Sequence, residues 1–210
     1  MFYQHNINAD TRLGIWRIEE PENFFLEKVP LKKDVSHPYK RLQHLAGRYL
    51  LPELADDFPL SEIMVADTRK PYLENEQYHF SISHSGSYAA ALISDVKRVG
   101  IDIELITPRI VTIAPKFLDP AEKEFLSDWK DLPKVHLELT TILWSAKEAI
   151  YKWYGLGLVD FRHHIQLSGP ITYSVSDWIE MPFVFKKTTP VHLTVVARVI
   201  DQLVLAWVVT

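Results

Sequence analysis

The sequence predicts an α+β fold made of two halves, and three observations carry that expectation. Two stretches have helical periodicity, 38–51 and 137–154. Short alternating apolar runs flank the first of them. Five more such runs, HHIQLS, ITYSVS, FVFKK, VHLTVVARVI and LVLAWVV, fill the last third of the chain and read as a meandering antiparallel sheet. The order strand, helix, strands, then helices, then strands divides near 105–115, giving an N-terminal half over 1–105 and a C-terminal half over 106–210.

Leu13 to Glu19 reads as an early strand, and Pro21 to His37 as a mixed segment carrying Lys28, Lys32 and Lys33. Pro38 suits the first turn of a helix that runs to about Leu51, where Pro52 stops it. Leu42, Leu45 and Tyr49 share its buried stripe, while Arg41 and His44 need not lie on it. Pro59 and Pro71 break the next segment into a short helix or strand with turns. His79 to Ser94 then reads as two strands around a turn at Gly86, and Val99, Ile101, Ile103 and Leu105 alternate as a further strand. Pro108 to Pro115 is a transition, Asp119 or Pro120 begins a helix, and the long helix from Leu137 ends at Gly155 and Gly157.

Composition bounds the function. The chain has 210 residues, 47% hydrophobic and 24% charged, as a folded globular protein should. It has no Cys, which excludes disulfides, thiolate chemistry and Cys-based zinc sites. The first residues lack the basic start and apolar run of a signal peptide, and no later run of about 18 apolar residues suits a membrane span. A cytoplasmic protein is expected, and the net charge of -4 gives no general support for nucleic-acid binding.

Asp102 and Glu104, in GIDIE, point to one face of a strand, with Ile101 and Ile103 on the other. Side by side they repel one another unless solvent, a shared proton or a hard cation such as magnesium relieves the charge. An ordinary solvated strand face is the plainer alternative. Downstream, Glu148 and Lys152 stand four residues apart on one face of the long helix, one turn after Trp144. They read either as a surface ion pair or as a third carboxylate for the metal with a lysine that stabilises charge on a phosphate. Glu148 also suits the deprotonation of an attacking hydroxyl.

Ser83, His84 and Ser85 precede Gly86 and offer hydroxyls and an imidazole to a phosphate, or form only a polar turn. No GxSxG elbow supports a nucleophilic serine, and no GxxxxGK[ST] loop is present. Arg41, Lys70 and Lys28 are further cationic candidates, whose weight depends on convergence beside the carboxylates. His163 and His164, adjacent in sequence, would face opposite ways in a strand and read as surface or turn residues.

FSISHSG (80–86), VGIDIE (99–104) and WSAKEAIYK (144–152), preceded by KPY (70–72), together resemble the 4'-phosphopantetheinyl transferases. The similarity is to their larger, monomeric, surfactin-synthetase-activating form. That resemblance implies an α+β pseudodimer with coenzyme A bound between its halves. It makes Asp102, Glu104 and Glu148 the magnesium ligands, with manganese as an alternative ion. It assigns Ser83, His84 and Arg41 to the coenzyme A 3'-phosphate region. It matches Lys70 and Lys152 to basic residues of the family's KP and WxxKEAxxK elements, with Lys28 as a looser carry-over. Two positions depart from the pattern. Ser81 stands where the family often has asparagine, keeping a hydroxyl without an amide, and Arg69 replaces the glycine often found before KP, altering the turn or adding a phosphate contact.

The implied reaction transfers the 4'-phosphopantetheine arm from coenzyme A to a serine of an apo acyl or peptidyl carrier protein, releasing adenosine 3',5'-bisphosphate. Glu148 would serve as base and Lys152 as electrostatic stabiliser. The carrier is expected to dock transiently on a monomer without nucleic acid or membrane, and Phe117 and Phe125 belong either to the docking surface or to the core. A noncatalytic coenzyme A-binding or carrier-interaction module is the alternative.

Overall fold

The computed structural model describes residues 2–31, 35–173 and 177–210. Lys32 and Lys33 lie outside the described residues, as does the second half of ITYSVS. The chain divides into two compact units, Met1–Ile101 and Asp102–Thr210, both α+β with antiparallel sheets.

The first unit is built on a four-stranded sheet of order β1-β2-β6-β5. Its strands are β1 (Tyr3–Asn8), β2 (Thr11–Arg17), β5 (His79–Ser85) and β6 (Tyr88–Ser94). The expected early strand starts two residues sooner, at Thr11, and is the second arm of a hairpin whose first arm, β1, has no strong sequence signal. Its burial alternates only between partial and none, so polar residues such as Gln4, Asn6 and Asn8 tolerate it. Between β2 and β5 lie the short helix α1 (Glu22–Leu26), the long helix α2 (Pro38–Leu54), and the two-residue strands β3 (Met64–Val65) and β4 (Pro71–Tyr72), which pair with each other.

α2 packs on β6, β2 and β5. It buries Leu45, Ala46, Tyr49 and Leu50, with Leu42 half-buried on the same stripe. Tyr49 is ringed edge-on by Trp16, Phe24 and Phe25 at centroid distances of 5.1, 5.4 and 5.6 Å. Pro52 does not stop the helix; it lies inside it, and Ala55 N–H closes the last turn onto the Leu51 carbonyl at 3.0 Å. A proline this close to the C-terminus removes one intrahelical donor, and buried Leu51 and Leu54 on its flanks offset that loss.

The second unit carries a five-stranded sheet of order β7-β11-β10-β9-β8. Here β7 is Val99–Leu105, whose residues from Asp102 onward belong to this unit, and the rest are β8 (Ile165–Leu167), β9 (Ile179–Phe185), β10 (Val191–Ile200) and β11 (Leu203–Val209). Strands β8 to β11 form the expected antiparallel meander. Residues 171–173 of ITYSVS are not in a strand. The transition segment contains the helix α3 (Arg109–Ile113), and α4 (Pro120–Ser127) follows. Asp119 caps α4 in a reciprocal capping box with Glu122.

The helix α5 (Pro133–Tyr154) begins one turn before the expected Leu137, with Pro133 in its first turn, where a preset φ costs nothing. Gly155 ends it in the left-handed region at φ 74°. Leu139, Ile142, Leu143, Ala146, Ala149 and Ile150 recur at helical spacing, are fully buried, and face β11 and β10. Phe117 is buried in this core and Phe125 is half-buried against it, which settles the open alternative for Phe117 in favour of packing. The short helix α6 (Phe161–His164) holds both histidines of the HH pair, so the strand begins only at Ile165. His163 pairs with Asp160 at 3.1 Å, and the His164 ring accepts from the Asp160 N–H at 2.9 Å.

Candidate active site

In the second unit, β7 carries Asp102 and Glu104 and α5 carries Glu148 and Lys152, and side-chain hydrogen bonds join the two elements. Asp102 is 3% exposed, so it is no solvated strand residue. One of its oxygens accepts from the Ser145 hydroxyl at 2.8 Å and the other from the Lys152 ammonium at 2.6 Å. Of the two readings of the Glu148 and Lys152 spacing, a plain surface ion pair is not what forms among the described residues; Lys152 bonds the strand carboxylate. Glu104 accepts from the Trp144 indole N–H at 3.1 Å. That indole is itself held against Phe117 and Phe161 at 4.9 and 5.6 Å.

Glu148 feels all of these charges. Burial, then repulsion from Asp102 and also from Glu104, pushes its carboxyl up to about 7, against the pull of Lys152. A base poised near neutrality can take a proton from an attacking hydroxyl. Among the described residues no three His, Cys, Asp or Glu side chains are drawn together as a ready-made ligand cage. The donor set is nevertheless one of hard carboxylate oxygens in mutual repulsion, the condition that a magnesium ion relieves.

Lys147, unremarked in the sequence, anchors this arrangement. It is fully buried, and its ammonium donates to Glu122 at 2.7 Å and to the carbonyls of Phe117, Phe161 and Ile165 at 2.8, 3.0 and 2.8 Å. Burial pulls the lysine down and pushes Glu122 up, while their mutual attraction opposes both shifts. The pair ties α5 to α4, α6 and β8 immediately beside Glu148. A lysine on the apolar side of a helix is the signal that could have revealed it.

The first unit contains a cavity of about 570 Å³. Lys40, His44 and Arg48 enter it from α2, His84 from β5, and Arg69 from the turn before β4. The three α2 residues recur every fourth position, a cationic stripe legible in the sequence but not singled out. The Arg48 guanidinium contacts His44 Nδ1 at 3.0 Å. Arginine only donates, so that nitrogen accepts and the other ring nitrogen carries the proton. Gly47 makes this convergence possible, since a Cβ there would meet the Ile82 Cγ2 at 2.6 Å. Gln43 donates to the Gly86 carbonyl at 2.8 Å and fixes the hairpin turn beside His84.

The phosphate candidates scatter around this cavity. Ser83 and His84 are neighbours on a strand and point to opposite faces: His84 lines the cavity, while Ser83 is 5% exposed and does not. Arg41 is not a lining residue; its guanidinium is bound through two nitrogens to the Glu22 carboxylate and donates to the Val35 carbonyl at 3.1 Å. Arg41 in turn holds the Glu22 carboxyl below its usual range. Lys28 is exposed and lies over the Phe24 ring at 4.2 Å, also outside the lining. Lys70 lies next to Arg69, and burial, then the nearby Arg98 charge, brings its ammonium down to about 8. Ser81, in place of the family's asparagine, accepts from the Ile101 N–H at 3.1 Å.

Residues 98–207 match the model of the 4'-phosphopantetheinyl transferase superfamily. The chain is similar to the 4'-phosphopantetheinyl transferase AcpT of Escherichia coli (strain K12), 33% identical over 149 residues, which is 66% of this chain and 73% of that protein. It is similar also to the 4'-phosphopantetheinyl transferase of Bacillus subtilis, 33% identical over 129 residues, 57% of this chain and 54% of that one. The enterobactin synthase component D of Salmonella typhi is 34% identical over 116 residues, 54% of this chain and 47% of that one. The matched region includes the strand of Asp102 and Glu104 and the helix of Glu148 and Lys152, and the chain belongs to the 4'-phosphopantetheinyl transferase superfamily.

Proposed function

We propose that this protein transfers the 4'-phosphopantetheine group of coenzyme A to a serine hydroxyl of an apo acyl or peptidyl carrier protein. The observation that carries this reading is the junction of β7 with α5, where the Asp102 carboxylate accepts from Ser145 at 2.8 Å and from Lys152 at 2.6 Å, with Glu148 pushed up to about 7 by burial and by Asp102. Acidic groups that repel one another next to a lysine suit chemistry on a diphosphate better than simple surface solvation does. The surfactin-synthetase-activating subtype is part of the proposal, as is the pseudodimer. What supports the pseudodimer is that each unit lays one long helix over an antiparallel sheet.

In the reaction the carrier serine oxygen forms a bond to the phosphorus that bears the pantetheine arm. The bond from that phosphorus to the bridging oxygen breaks, and adenosine 3',5'-bisphosphate leaves with the electron pair. Glu148 takes the serine proton, directly or through one water. Lys152, held by Asp102, supplies positive charge where the phosphoryl oxygens and leaving group gain negative charge. Ser145 fixes the Asp102 carboxylate, and Trp144 fixes Glu104. Asp102, Glu104 and Glu148 are the residues that would hold a magnesium or manganese ion, which when bound neutralises phosphate charge. His84, Arg48 and His44 would receive the nucleotide phosphates.

The test is a mass assay of apo carrier proteins incubated with the protein, coenzyme A and magnesium. A phosphopantetheine-sized gain on a carrier serine is expected. Coenzyme A binding without any gain would instead identify a noncatalytic binding module.

A further inference from the structure

We infer that Arg69 is a specificity-determining residue that supplies a guanidinium to the phosphomonoester end of the ligand in the first unit's cavity. The inference rests on the coenzyme A reading above and adds a residue to it. Arg69 has φ 69°, in the left-handed region where an L side chain crowds its own backbone and glycine does not. The turn explains why the chain needs that conformation. Arg69 N–H donates to the Ala66 carbonyl at 2.8 Å, and Ala66 N–H donates to the Lys70 carbonyl at 3.0 Å. A tight turn is thus followed by one left-handed residue joining β3 to β4, the position where such hairpins take glycine. Arginine is an unfavourable choice there on local grounds.

Function accounts for the choice. The Arg69 side chain lines the cavity together with Lys40, His44, Arg48 and His84, so four elements of charge or hydrogen-bond donation share its walls with it. Among the described residues no carboxylate lines the cavity. Arg41, the arginine that the family resemblance assigns to the phosphate region, is instead engaged by Glu22. Arg69 offers a planar fork of donors that matches a terminal phosphate better than a lysine's single point charge does. Strained backbone retained at a cavity wall is the pattern expected when a side chain is kept for binding.

Three variants separate charge from backbone. R69G and R69N both suit the left-handed turn and remove the cation; R69K keeps a cation and the strain. Transfer is measured with coenzyme A and with dephospho-coenzyme A, which lacks the 3'-phosphate. Binding of adenosine 3',5'-bisphosphate and thermal unfolding are measured on the same proteins. In R69G and R69N the KM for coenzyme A should rise about 10- to 100-fold, the size of a lost charge-assisted hydrogen bond. Their kcat and their KM for dephospho-coenzyme A should stay unchanged. R69K should fall between these and the wild type. R69G should also melt roughly 2–4 °C higher, because strain is removed. Equal losses on both substrates, or no change on either, overturns the role of Arg69 while leaving the transferase reading intact. A wild-type protein that binds neither coenzyme A nor the bisphosphate overturns both.

Discussion

The carboxylate site and the cationic cavity handle charge in opposite ways. Around Asp102 the structure crowds like charges, then restrains them with Lys152, Ser145 and Trp144 donors. Around His84 it gathers cations and imidazoles from α2, β5 and a turn along the walls of one cavity. The first arrangement suits groups whose protonation must be tuned, because burial and repulsion shift a carboxyl directly. The second suits recognition, where charge needs to remain available to a ligand. Both rest on close packing: Lys147 locks the helix of Glu148, and Gly47 lets α2 settle against Ile82.

The sharpest way to break this contrast is Glu148→Gln. Transfer should fall about 10²- to 10⁴-fold, the usual contribution of a positioned base, with the circular dichroism spectrum unchanged. The same variant has a stability signature. Because the folded pKa of Glu148 is raised from 4.5 to about 7, the native state binds more protons than the unfolded state between those values. The stability contribution of Glu148 is therefore complete below about pH 4.5 and lost as pH rises through about 7. In metal-free buffer Glu148→Gln should be more resistant to urea than the wild type at pH 8 and not at pH 4.5. A folded variant with normal turnover would remove Glu148 from the chemistry.

Lys147→Met tests the packing behind that site. It leaves Glu122 buried without its cation, a change that costs about 3–5 kcal/mol when one partner of a buried pair is lost. Urea midpoints read the loss, and the double variant with Glu122→Gln should recover part of it. On the cavity side, Arg48→Ala should raise the KM for coenzyme A about tenfold, and more than Arg41→Ala does. The reverse ranking would mean that Arg41 leaves Glu22 when the ligand binds. Gly47→Ala should cost about 1–3 kcal/mol by overpacking against Ile82, and should weaken coenzyme A binding as α2 is pushed off β5. The smallest effect is expected at Asp160, whose hydrogen bond from His163 holds its carboxyl down at about 2. Its contribution to stability is present above the ordinary carboxylate range and lost as pH falls through about 2, so Asp160→Ala should cost about 0.5–1 kcal/mol at pH 7, read by urea unfolding, through the lost helix cap.

Much of this was legible before any coordinates. The two long helices, the Gly86 hairpin, β7 and the C-terminal meander follow from periodicity and from Pro and Gly placement. The polar strand β1 escaped because half-exposed strands need no apolar alternation, and Pro52 misled because buried neighbours outweighed its missing N–H. At the site, the i,i+2 and i,i+4 spacings put Asp102 with Glu104 and Glu148 with Lys152 on shared faces. They did not reveal that Lys152 would bond Asp102, across 50 residues.

By itself, then, the sequence determined which residues share a strand face or a helix face, because backbone periodicity is local. Only the tertiary structure decided which of those faces meet. It turned Asp102 inward, buried Lys147 among three carbonyls, separated Ser83 from His84, and drew Arg69 rather than Arg41 to the cavity wall. The physical reason is that burial and charge pairing depend on neighbours distant in the chain, and the packing of helix on sheet selects those neighbours within each unit.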